Sequence, residues 1–276
     1  MNVPPHELKW NEFVAAAQKL RGAWVFRGEL YAPTRTPPLE TSLEKACRCW
    51  DKHINKAGEI EKQLLREFKR HPETRGFDLE QEDDLDWLAV MQHYGAPTRL
   101  LDWTYSPFVA AYFAFDKLLY TKKPDPKKPD PNPPRAAIWA VNYKSLNHAI
   151  RKVLSVRAWS LYLKKDSSSF ANLYFKRHVA FVGAVNPMKL NNRLSIQQGL
   201  FLVPGDVGRP WAQNFEALKL GQDEDKRQLF LMDRTQTLTA FKALTLMNVS
   251  SRILFPGPTG YAKSLLHRLP VLPRGA

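Results

Sequence analysis

Two cysteines in 276 residues leave this chain little covalent chemistry of its own. Cys47 and Cys49 stand two apart in a helix-forming stretch. Side chains at i and i+2 diverge there, so no disulfide is expected between them. Two thiols do not make a zinc site, and so small a number suits a reducing cytosol. Long apolar runs are also missing. No window approaches the ~20 apolar residues that span a bilayer. The opening MNVPPHELKW lacks the apolar segment of a secretory signal. The expectation is a cytoplasmic protein without membrane contact. GxGxxG, GxxxxGK[ST], HExxH and GxSxG are all absent, as is any cysteine–histidine metal pattern, so no metal is expected. Acidic residues are scarce, 27 against 41 basic ones, for a net charge of +14. That favours an anionic partner such as nucleic acid, an acidic protein, or an anionic small molecule or nucleotide. A merely solvated basic surface is the plainer alternative.

What is present concentrates in residues 92–115, QHYGAPTRLLDWTYSPFVAAYFAF. Gly95 and Pro97 impose a tight backbone path. Arg99, Asp102, Trp103, Thr104 and Tyr105 then crowd hydrogen-bonding groups together. Ser106 suits an N-cap and Pro107 the first helical position. Phe108, Val109, Ala111, Tyr112, Phe113 and Phe115 follow, covering most of a helix surface, which predicts a buried helix. A polar cluster at the mouth of such a helix is a common ligand-site design. A structural network that locks the turn is the competing reading.

Elsewhere, residues 7–20 read as an amphipathic helix and AWVFRGEL (23–30) as a strand, with Trp24 and Phe26 on one face and Val25 and Arg27 on the other. A Pro/Thr-rich loop follows at 31–38. Residues 40–70 read as one or two helices, entered through a capping box from Thr41 to Glu44. A helix is predicted near 83–93, a strand at 136–142, a helix at 145–163 and an extended run at 179–187. Residues 195–204 read as a strand interrupted at Gly199, and 227–246 as a strand then a helix. The proline-rich 121–135 segment reads as an exposed loop within the domain.

Two further constellations carry candidate chemistry. Arg27, at a strand end before Gly28, either grips a phosphate through bidentate hydrogen bonds or pairs with a structural carboxylate such as Asp102. Gly28 would let a ligand or backbone come close. In RLSIQQGLF (193–201), strand alternation places Arg193, Ser195 and Gln197 on one face. Gln197 and Gln198 could then read an amide or ribose hydroxyls, or simply face solvent at an edge.

Together the segments VFRGE (25–29), DDLDWLAVMQHYGAPTRLLDWTYSPFVAAYFAF (83–115), AAIWAVN (136–142), RLSIQQGLFLV (193–203) and SSRILFPGPTGYAKSL (250–265) resemble the FRG domain family, named for its F-R-G tripeptide. On that resemblance the chain divides into an N-terminal helix (1–22), an FRG domain (23–265) and a tail (266–276). A second resemblance, to ADP-ribosyltransferase-like domains, implies an α+β fold with a central split, mixed or antiparallel sheet flanked by helices. It also implies NAD as substrate, with transfer of ADP-ribose or hydrolysis, and by analogy a toxin or phage-defence effector. Arg27 looks like the early-strand element, Asp102–Thr104 before the buried helix like the second, and Gln197 and Gln198 like the third. The resemblance makes Arg27, Thr104 and Gln198 catalytic, and gives ligand-binding roles to Gly28, His93, Tyr94, Arg99, Asp102, Trp103 and Gln197. The pattern departs from this family in one place. No acid stands in 193–203, and glutamine cannot act as a base or balance an oxocarbenium charge. Glu29, Asp102 or Glu216 would have to substitute, and spacing selects none of them. The alternative is a non-catalytic nucleotide or nucleic-acid binding module, with Trp103 and Tyr94 stacking on bases.

Overall fold

The computed structural model describes all residues except 1–3, 21–22, 33–38, 78, 80–82, 123–126, 129, 188–191, 222 and 267–276. The 31–38 loop and the tail beyond 266 therefore lie largely or wholly outside the described residues. The strands are β1 (Pro5–Glu7), β2 (Trp24–Tyr31), β3 (Leu101–Thr104), β4 (Arg135–Asn142), β5 (Val182–Val185), β6 (Gly199–Pro204) and β7 (Arg227–Met232). The helices are α1 (Trp10–Lys19), α2 (Ser42–Cys49), α3 (Ala57–Arg70), α4 (Asp84–His93), α5 (Pro107–Leu119), α6 (Tyr143–Val153), α7 (Val156–Lys164), α8 (Ser167–Phe170), α9 (Asn192–Ile196), α10 (Trp211–Glu216), α11 (Thr237–Leu246), α12 (Ser251–Leu254) and α13 (Pro258–Leu266). One α+β sheet of seven strands runs β1-β7-β4-β2-β3-β6-β5. Its pairs are antiparallel except β1 with β7, which is parallel.

The alternation of β2 sorts the two cores. Trp24 and Phe26 join the apolar layer around α5, with Trp10, Phe13, Phe115 and Phe230, while Val25 faces the opposite layer with Trp103, Trp139 and Trp211. α5 starts as its sequence predicts, with Ser106 Oγ accepting from Val109 N–H at 3.3 Å and Pro107 in the first turn. The Thr41 capping box also forms, Thr41 N–H donating to Glu44 at 2.6 Å. The cysteines are unpaired, Cys47 buried and Cys49 exposed on α2. β1 was not legible in the sequence. It is three residues long, polar, starts with proline, and exists only because β7 offers an edge.

Two readings change. The 145–163 helix is two, because Leu154 is extended and Ser155 caps a new helix by accepting from Ala158 N–H at 3.3 Å. The 40–70 region is two helices, one of the two readings its sequence allowed, the chain turning at Asp51, whose φ is 49°. Most important, 195–204 is not one strand. Residues up to Ile196 form α9, Gln198 takes a φ of 49°, and β6 starts at Gly199. A Cβ on Gly199 would lie 2.3 Å from Leu194 Cδ1, so the glycine lets α9 fold back onto the strand it introduces. The alternation that placed Arg193, Ser195 and Gln197 on one strand face therefore does not exist.

Candidate functional site

β2 and β3 are paired at a single position, Phe26 with Thr104. Beyond it β2 continues beside β4 as far as Tyr31, opposite Arg135. Side chains occupy the opening. Arg27 Nη1 donates to the Asp102 carbonyl, and Nη2 donates to Glu29 at 2.5 Å. Lys117, from the last turns of α5, donates to Glu29 at 2.7 Å and to the Gly28 carbonyl at 3.2 Å. Two of the five guanidinium N–H groups of Arg27 are thus used. Its Nε–H is buried with no acceptor.

Burial alone would raise the Glu29 carboxyl, but the Arg27 guanidinium and then the Lys117 ammonium outweigh it and hold it below its ordinary value. A depressed carboxylate stabilises the fold above its unfolded pKa, about 4.3, and that contribution fades as pH falls through the lower folded value. Glu29→Gln should therefore be less stable than wild type at neutral pH. The gap should narrow as pH falls below about 4.3, where Glu29 of the unfolded chain takes up a proton that the folded carboxylate still resists. Urea unfolding of both proteins at the two pH values measures this, and a gap independent of pH would refute the assignment.

Asp102 is set from the α4 side. Gln92 Nε2 donates to the Leu100 carbonyl at 3.1 Å and to Asp102 Oδ2 at 3.0 Å. The Thr98 hydroxyl donates to Gln92 Oε1. Thr98 N–H donates in turn to Ser42 Oγ at 2.9 Å. The Asp102 side chain stays exposed, and its charge acts on Arg193 and Lys117. His93, at the end of α4, is held below the ordinary imidazolium value by partial burial and then by Arg193. The turn that delivers these groups requires Gly95, whose φ is 86°.

The opening thus gathers Arg27, Glu29, Asp102, Lys117, Gln92, His93 and Arg193. Lys117 was invisible as a site residue because its spacing reads as the polar end of an apolar helix. Tyr94 is exposed on the same turn and packs on His93 and Phe77, with ring centroids 5.0 and 5.7 Å away. Gln198 is exposed, and its carbonyl accepts from Tyr105 N–H at 2.9 Å.

Other candidates are placed differently. Arg99 is 1% exposed and paired with the fully buried Glu61, so it does not reach the opening. Trp103 is core, stacked on Trp211 with centroids 6.4 Å apart, and presents no face to a base. Thr104 is buried. Its hydroxyl donates to the Gln197 carbonyl at 2.7 Å and accepts from Ser106 N–H at 3.0 Å, which spends it on joining β3, α5 and the α9–β6 turn. Gln197 donates to the Leu254 carbonyl at 3.0 Å and ties that turn to α12. Gly28 faces α5, where an added Cβ would stand 1.8 Å from the Ala110 carbonyl oxygen. The close approach it permits is that of a helix. Glu216 sits elsewhere, 3.3 Å from Arg227.

Residues 22–123 match the FRG domain family. The chain carries an FRG domain. The match includes β2, β3, α4 and α5, and so every element of the opening except α9, while β4 to β7 lie beyond it. Neither the curated proteins nor the solved structures contain a match to the chain. No group of three or more His, Cys, Asp or Glu residues among those described could hold a metal. No helix among them is long and apolar enough to cross a membrane.

Proposed function

We propose that the opening between β2 and β3 of the FRG domain binds NAD or a related ADP-ribosyl nucleotide and cleaves its nicotinamide–ribose bond. One observation carries this reading. The three elements that looked like an ADP-ribosyltransferase-like set are far apart in sequence but lie on neighbouring strands, in the row Phe26–Thr104–Gly199. Arg27, Thr104 and Gln198 are on or beside that row, as a split ADP-ribosyltransferase-like sheet would have them.

The donors suit the ligand. Arg27, with a buried Nε–H that has no acceptor, and Arg193 would meet pyrophosphate oxygens. His93 and Tyr94 would border the base or the ribose, and Gln198 would hydrogen-bond ribose hydroxyls. Thr104 and Gln197 would act by fixing the strand row, not by touching ligand.

Asp102 is the residue suited to supply the missing acid, being exposed, oriented by Gln92 and flanked by cations. Glu29 is already spent on Arg27 and Lys117. Heterolysis sends the bonding pair out with neutral nicotinamide. The ribosyl cation, balanced by the Asp102 carboxylate, is captured by water or an acceptor nucleophile, which loses a proton. Consumption of NAD would suit a toxin or defence effector.

The test is nicotinamide release from NAD by the purified protein and by Asp102→Asn. That change leaves Gln92 a side-chain oxygen to bond. Release that falls about 100-fold or more in the variant is the expected result. No release, together with no NAD-dependent thermal shift, would overturn the reading.

A further inference from the structure

The α3 helix carries charge that its own stability does not call for. Lys62, Arg66 and Arg70 stand at i, i+4 and i+8, all exposed. Like charges at this spacing repel along a helix face. The helix dipole favours cations only in the last turn, which explains Arg70 but not Lys62 or Arg66. Lys69 is different, since it donates to Asp84 at 2.7 Å. Among the described residues no carboxylate pairs with Lys62, Arg66, Arg70 or Lys176, although Glu59 and Glu67 are on the same helix.

The row borders two adjoining hollows of about 470 and 570 Å³, and Lys62, Arg66 and Arg70 line both. Leu65, Phe175 and Lys176 also line the first, as does Asp84, which Lys69 holds. Arg99 covers one face of Phe175, its guanidinium carbon 4.3 Å from the ring centroid. At 1.5 Å per residue the row is about 12 Å long, the reach of a few consecutive phosphates and more than one small anion needs.

We infer that this face of α3 is a track for single-stranded nucleic acid, with backbone phosphates along Lys62, Arg66 and Arg70 and a base against Phe175. An aromatic side chain beside a line of unpaired cations favours nucleic acid over an acidic peptide, which brings charge but no rings to stack. The track is separate from the β2/β3 opening and does not depend on the NAD reading.

Fluorescence anisotropy with a labelled oligothymidylate of about 20 nucleotides tests it. Binding should weaken with salt, with a slope of about −3 in log K against log [NaCl] if four cations each meet a phosphate. Arg66→Glu with Arg70→Glu should weaken binding at least tenfold at about 50 mM salt and flatten the slope by about 1.4. Lys62→Glu with Lys176→Glu should do the same. Both double variants should keep the wild-type circular dichroism and thermal unfolding midpoint, which separates loss of the track from loss of the fold. Absence of binding at about 50 mM salt, or unchanged affinity and slope in folded variants, would overturn the inference. So would polyglutamate competing as well as unlabelled oligonucleotide.

Discussion

Glu61→Ala is expected to destabilise the protein by about 3–5 kcal/mol, enough to unfold a marginal domain at 37 °C. Glu61 and Arg99 are 0% and 1% exposed. Glu61 Oε1 accepts from the Arg99 backbone N–H at 2.8 Å, and Oε2 accepts from the guanidinium. The rest of that guanidinium donates to the Tyr174 carbonyl at 2.6 Å and lies over Phe175. Removing the carboxylate leaves a buried cation that cannot shed its proton and a backbone donor with no acceptor. The pair locks α3 to the turn before β3, so the variant should also disturb the network that orients Asp102. Arg99→Met combined with Glu61→Met should cost markedly less than the sum of the single changes, because removing both charges together strands neither. Urea titrations of the four proteins complete the cycle. Additive costs would show that the two side chains are not coupled.

Gly28→Ala should cost about 3 kcal/mol or more, at the upper end of overpacking effects. The added Cβ would stand 1.8 Å from the Ala110 oxygen and 2.7 Å from the Ala114 nitrogen. Both are backbone atoms of α5, so no side-chain rotation relieves the contact and the helix must lift from the sheet. Trp10, Phe13 and Phe230 would lose packing with it, since all share that apolar layer. Thermal unfolding measures the effect. A loss under about 1 kcal/mol would mean that α5 is not seated against β2 as described. A ligand-binding glycine would behave differently, leaving apo stability intact and weakening only binding.

Much of this was legible before folding. The 3.6-residue pattern from Val109 to Phe115, with Ser106 and Pro107 ahead of it, marks α5 because capping and burial are local. The alternation in β2 places Arg27 opposite Phe26 for the same reason. The strand inferred across 195–204 holds from Gly199 onward and failed before it, because polar–apolar alternation over a few residues also suits one helical turn. Leu194 folding over Gly199 settled that competition. Glu61 sits four residues from Ala57 and from Leu65 on the buried stripe of α3, an acid at an apolar position. In a helix this rich in charge, that signal has no contrast.

By itself the sequence determined the basic charge, the family segment, the buried helix and its cap, and the polar turn with its glycine. It named Arg27, Arg99 and Asp102 as chemically notable without ranking them. Only the tertiary structure separated them. Arg99 found its carboxylate on a helix distant in sequence and was buried, Arg27 was drawn into the gap where β2 and β3 part, and Asp102 kept its carboxylate exposed. Local pattern records a side chain's own preference, whereas its ionic partner and its access to solvent depend on contacts between distant segments, which form only when the sheet assembles.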